Sequence, residues 1–129
     1  MTRIAFLTCV GTLALAIGVF AVTCPAALLA GKGVAPNPVA QVWVREVGVL
    51  ILASGVLTLL VRKHPNSPTL RAFLFSSALL HAGLLPIEIA AWTSGVLARL
   101  GGILPNSALH VVIAGGFLYY ALTARRELS

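Results

Sequence analysis

The sequence predicts an all-α integral membrane protein, a four-helix bundle whose helices run up, down, up and down through the bilayer. Three observations carry that fold class. Of the 129 residues, 59% are hydrophobic and only 9% are charged, whereas soluble domains average about 25% charged. So few charges do not cover a surface that faces water. The charges are also far apart: none lies between Arg3 and Lys32, only Glu88 between Arg71 and Arg99, and none between Arg99 and Arg125. Apolar runs of about 18 residues or more mark membrane-spanning helices. Short segments rich in Gly, Pro and Asn separate the runs, as turns between spans require. A chain of this length accommodates them as a single domain over residues 1–129.

The first helix is expected over about Ile4 to Ala30, closed by the turn residues of "GKGVAPNP". Arg3 ahead of an apolar stretch, with the small Ala26 and Ala27 further on, has the outline of a secretory signal. The uncharged run nevertheless exceeds the about 7 to 15 residues of a signal's apolar core, and no A-x-A site follows. Thr23 is likewise a poor residue ahead of a lipidated Cys24. Cys9 and Cys24 stand fifteen positions apart, which on a helix is about 22 Å, too far to pair. With no CxxC or zinc-type spacing, they read as small buried side chains.

A second helix is expected over about Val42 to Val61, closed by "KHPNSP", and a third over about Leu70 to Trp92. The fourth, about Asn106 to Thr123, follows "GGILPN", with Asn106 or Ser107 after Pro105 as its N-cap. Linkers this short make sequential helices antiparallel neighbours. Small residues recur along the runs, at Gly11, Ala14 and Gly18, at Gly48 and Gly55, and at Gly115 and Gly116. In lipid they let helix backbones approach closely.

Four crossings return both termini to one side, which carries Arg3, Arg62, Lys63, Arg71, Arg125 and Arg126, against Lys32, Arg45 and Arg99 on the other. Excess Lys and Arg marks the cytoplasmic side. The termini and the "RKHPNSP" loop are therefore expected in the cytoplasm, and the protein in the cell (inner) membrane. Trp43 and Trp92 then mark the outer interface, with Tyr119 and Tyr120 towards the inner one. Because the basic residues close apolar runs and do not gather on one face, the net charge of +6 signals topology and not nucleic acid.

Ionisable residues inside such helices are candidates for function. The uncharged part of the second helix, Val47 to Val61, spans about 22 Å against a hydrocarbon thickness of about 30 Å. Arg45 and Glu46 therefore fall at or just inside the outer edge. Glu88 lies four residues before Trp92, and His110 four after Asn106; helical rise places both about 5 to 6 Å inside the outer ends. Three helices are thus expected to supply one polar layer. His81, seven positions before Glu88, shares its face and lies about 10 Å deeper. Pro86 offers no N–H to the carbonyl of Ala82, and with Gly83 it makes mid-helix the place for a kink and a cavity.

The chemistry this layer suits is proton transfer. Glu88 is the principal candidate acid or base, with His110 and Glu46 as its partners. Arg45 would orient a carboxylate or polar head, His81 would line the deeper pocket, and Trp43 and Trp92 would border it. A structural alternative pairs Arg45 with Glu88 and His110 with Glu46, as a lock between helices. A zinc or iron site of Glu46, Glu88 and His110 is chemically possible, but no short-range ligand motif backs it. Bis-histidine haem is set aside by the about 10 Å of depth between His81 and His110. No phosphate loop, GxSxG elbow or HExxH motif is present, and no metal or cofactor is expected.

At "VWVREVGVLILASGVLTLLVRK" the chain resembles the second helix of the DoxX-like group of small four-helix membrane proteins, where a glycine follows an arginine by three positions, here Arg45 and Gly48. Pro25 matches the proline that closes their first helix. The resemblance implies an inner-membrane bundle, and for some members an accessory role in quinone-linked sulfur oxidation, for which this chain lacks a redox cysteine pair. The mixture of His, Glu and Trp is also faintly similar to membrane sterol isomerases. The expected function is binding of a lipophilic small molecule among membrane lipids, with acid/base isomerisation, cyclisation or hydrolysis. The rival is a non-enzymatic assembly subunit, and a proton-coupled transporter ranks last because only Ser76 and Ser77 lie below His81 on its helix. Association of the chain with a second copy stays open.

Overall fold

A computed structural model of the chain describes residues 1–97 and 100–126, with the backbone alone at Arg125 and Arg126. The described residues are helical throughout their regular structure, with no strand: α1 (Arg3–Thr23), α2 (Pro25–Gly31), α3 (Pro38–Val61), α4 (Pro68–Thr93) and α5 (Leu100–Arg126). Four of these, α1, α3, α4 and α5, are long and apolar enough to cross a membrane. The expectation of four apolar membrane-length helices holds at that level. Their boundaries differ from those expected, and each difference has a local cause.

One apolar run yields two helices at its Pro25. Cys24 sits between them at φ −127° and ψ 50°, because a proline drives the preceding residue out of the helical region and is itself suited to a helix start. The next two helices begin earlier than expected for the same reason in reverse. Pro38 and Pro68 occupy first-turn positions, and the residues before them cap the backbone: Asn37 accepts from the Ala40 N–H at 2.8 Å and Ser67 from the Leu70 N–H at 3.1 Å. Gly33, at φ +77°, ends α2 in a Schellman turn, with the Val34 N–H donating to the Leu29 carbonyl at 3.0 Å.

The chain forms two compact units, Met1–Lys63 and His64–Ser129. In the first, α1 packs against α3 in antiparallel fashion, since Gly11 meets Gly55 and Leu59 while Gly18 meets Gly48 and Leu52. These glycines repeat every seven residues in both helices, so they form one stripe along each. A Cβ at Gly18 would come 2.9 Å from the Leu52 backbone nitrogen and 3.0 Å from the Gly48 carbonyl. The glycines are therefore what permits this approach. Thr58, buried beside them, donates its hydroxyl to the Ser54 carbonyl at 2.8 Å, so its own polar group is met within its helix. Cys9 and Cys24 correct the expectation of burial: both are exposed, as a small apolar side chain on a span can be when its outer solvent is lipid.

In the second unit α4 and α5 pack antiparallel, with Phe73 edge-on to Phe117 at 6.1 Å between centroids. Leu70, Leu74 and Ala78 of α4 are buried, as are Ile113, Phe117, Ala121 and Ala124 of α5. That half of the seam is apolar. Gly95, at φ +76°, follows α4, and its N–H donates to the Trp92 carbonyl. Helix α5 starts at Leu100 and not at Asn106, so Pro105 lies inside it. Gly115, expected in a packing face, has open space where a Cβ would stand. Of the basic residues weighed for topology, Arg99 and the side chains of Arg125 and Arg126 lie outside the described residues.

Candidate functional site

The half of the α4–α5 seam nearer Trp92 is polar. His81 and Glu88 are two turns apart on α4, while Asn106, Ser107, His110 and Phe117 recur on α5 at spacings of three, four and seven. Those spacings put each set on one helical face. Antiparallel packing then brings the two faces together in two steps.

At the first step Glu88 is half-buried and both carboxylate oxygens are met. Asn106 donates its Nδ2–H to Oε1, and the Ser107 hydroxyl donates to Oε2. A carboxylate with two donors on it is held in a fixed orientation, and bonds to a charged group are roughly twice as strong as neutral ones. At the second step, Nδ1 of His81 lies 2.8 Å from Nδ1 of His110, with ring centroids 5.1 Å apart. Phe117, 1% exposed, stacks on the His81 ring at 5.9 Å and an interplanar angle of 14°. The polar steps end there, against an apolar seal that includes Leu74 and Phe117.

This arrangement corrects the expected register. His110 was expected level with Glu88, and His81 about 10 Å below both; instead Asn106 and Ser107 meet Glu88, and His110 meets His81. The cause is the start of α5. Six residues of helix precede Asn106, which places it about 9 Å inside the helix end and makes it a side-chain donor in a helix interior, not a cap. The depth difference that set aside a shared role for the two histidines is absent. Among the described residues no three His, Cys, Asp or Glu side chains converge to hold a metal ion, and the two imidazoles bond each other directly.

No family model matches the chain, and no curated protein or solved structure is significantly similar to it. The site is therefore read from its own geometry. Glu88, His81 and His110 stand together on α4 and α5. Glu46, Arg45 and Trp43 belong to the first unit, where all three are exposed on α3. Trp92 is exposed in the last turn of α4, four residues beyond Glu88. Asn106 and Ser107 were legible as polar residues but were assigned to a cap by the preceding proline. Their three- and four-residue offsets from His110 are the signal that places them on its face.

Proposed function

We propose that the chain is an integral protein of the cell (inner) membrane that binds a lipophilic small molecule and acts on it by acid and base chemistry. The observation that carries this reading is the carboxylate and imidazole pair held on one seam of two apolar helices. An ionisable group in a membrane span costs about 2.5 to 3.5 kcal/mol on insertion scales, and a seam of apolar residues packs without one. Glu88 is the principal acid or base, His110 and His81 are its proton-exchanging neighbours, and Trp92 borders the entry. Arg45, Glu46 and Trp43 are exposed on α3 of the other unit, and the chemistry proposed for this seam does not depend on them. In this reading the helices alternate in direction, both termini are cytoplasmic, and the DoxX-like resemblance around Arg45 and Gly48 supports an inner-membrane bundle.

One observation favours a second reading. The Glu88 oxygens are met by Asn106 and Ser107, as in a clamp that ties α4 to α5 in an accessory subunit. The two readings part at Glu88→Gln. A clamp survives as an amide bond pair, and the protein keeps its fold and its lipophilic cargo. An acid or base does not survive, and the variant folds but no longer turns over the co-purifying lipophile, identified by mass spectrometry from mild detergent. Unchanged turnover in folded Glu88→Gln removes Glu88 as the principal acid or base, and absence of any turnover by the wild type leaves the clamp reading.

A further inference from the structure

Hydroxyls on these helices have a habitual partner, and Ser107 departs from it. Thr8, Thr23, Ser54, Thr58 and Thr93 each donate to the carbonyl four residues back in their own helix, at 2.8 to 3.0 Å. That local bond is the ordinary use of a helical hydroxyl. Ser107 instead donates across the seam to Oε2 of Glu88. The Ile103 carbonyl, four residues before it on α5, stands where the local bond would form. A carbonyl oxygen has two lone pairs, so it can take a hydroxyl besides its helical N–H.

The two donors on Glu88 also differ in kind. The Asn106 Nδ2 group that meets Oε1 can only donate, whereas the Ser107 hydroxyl donates or accepts by turning about one C–O bond. An ionised carboxylate accepts from both. A protonated one has an O–H of its own, and a buried donor left without an acceptor is costly.

We propose, resting on the acid and base role assigned to Glu88, that Ser107 is the positioning residue of that carboxyl and works as a two-position hydroxyl switch. With Glu88 ionised, the hydroxyl donates to Oε2. When Glu88 takes a proton, from substrate in a cycle or from water in a titration, the proton sits on Oε2. The Ser107 oxygen then accepts a hydrogen bond from it, and the hydroxyl hydrogen turns to the Ile103 carbonyl. Asn106 keeps its bond to Oε1 throughout. No heavy atom has to move, and the carboxyl and the hydroxyl are met in both states. A clamp needs only the first state, whereas a group that gains and loses a proton needs both. Among the described residues, the other titratable side chains on this seam are His81 and His110, which bond each other two turns from Glu88 on α4 and one turn from Ser107 on α5.

The test is infrared difference spectroscopy of the full chain in nanodiscs, titrated from about pH 9 to about pH 3, with the Glu88 band assigned by its loss in Glu88→Gln. In the wild type the C=O stretch of protonated Glu88 should appear at the lowered frequency of a carboxylic acid that donates a hydrogen bond. In Ser107→Ala it should move to the higher frequency of an acid whose O–H has no acceptor, and Ser107→Thr should restore the wild-type position. A contact that serves the fold alone would lower thermal stability in Ser107→Ala and leave the band where it was. The same band in wild type and Ser107→Ala, a Thr variant that behaves like Ala, or no protonated Glu88 anywhere in that range overturns the proposal. A band that shifts as expected, in a protein whose lipophile is turned over equally by Glu88→Gln, supports the switch while removing the catalytic role on which it was built. Turnover lost in Glu88→Gln with an unshifted band in Ser107→Ala strikes the switch and leaves that role standing.

Discussion

Glu88 is the residue at which polarity in this hairpin is most costly to disturb. Its oxygens take a proton donor each from Asn106 and Ser107, so a change there strands partners as well as removing a charge. Glu88→Leu should leave both donors without an acceptor, at about 1 to 3 kcal/mol. Glu88→Gln keeps the shape and one acceptor, and the Ser107 hydroxyl can turn to accept, so about 1 kcal/mol or less is expected. Reversible unfolding in mixed micelles should rank wild type, Gln and Leu in that order, and a Leu variant as stable as wild type would remove the carboxylate from the account. Phe117 acts through packing instead. It is buried to 1% between Phe73 and His81, so Phe117→Ala should cost about 3 to 5 kcal/mol and release the His81 ring. The same unfolding assay reads the first effect, and loss of the ¹⁵N scalar coupling across the hydrogen bond between Nδ1 of His81 and Nδ1 of His110, in ¹⁵N-histidine-labelled protein, reads the second.

At the scale of elements the two hairpins are built differently, and glycine shows it. Gly18 faces backbone atoms of α3 within 3.0 Å of any added Cβ, whereas Gly115 faces nothing within 4 Å. Gly18→Ala should therefore force α1 from α3 and destabilise the first unit by about 1 to 3 kcal/mol. Gly115→Ala should stabilise α5 by about 0.5 to 1 kcal/mol, through backbone entropy alone. Opposite signs for two identical substitutions, measured by thermal unfolding in detergent, are the expected outcome. The same contrast shows what the sequence makes legible. Apolar runs, turn residues and the seven-residue glycine stripes could be read directly, because each depends on local chemistry. The start of α5 could not: "GGILPN" carries two glycines and a proline, and turn propensity argued for a break where the structure continues the helix through Pro105. That one boundary moved His110 from the level of Glu88 to that of His81, so Glu88, His81 and His110 were legible as candidates while their pairing, and the contacts of Asn106 and Ser107, were not.

For the whole molecule, the consequence to be tested is how the two units thread the membrane in the proposed arrangement. The segment between α2 and α3 carries Lys32 as its one charge, whereas that between α3 and α4 carries Arg62 and Lys63, with Arg71 in the second turn beyond. Positive charge flanking a span is retained in the cytoplasm, so the second segment should face inward and the first outward. Both native cysteines are exposed, Cys9 on α1 and Cys24 between α1 and α2, and would react, so the measurement starts from a chain with Cys9→Ala and Cys24→Ala. Into it go Ala35→Cys or Asn66→Cys, each in a segment between helices. A membrane-impermeant thiol reagent applied to intact cells should label the cysteine at 35 and reach the one at 66 only after permeabilisation. Replacing Arg62 and Lys63 by glutamine should weaken that preference, because the remaining bias then rests on Arg3, Arg71 and the basic residues at the other terminus. Labelling of both sites from outside would contradict the alternating path, and labelling of 66 alone would invert it. It would also reverse the proposed outward placement of the Glu88 end of α4, since that helix begins at the segment containing Asn66.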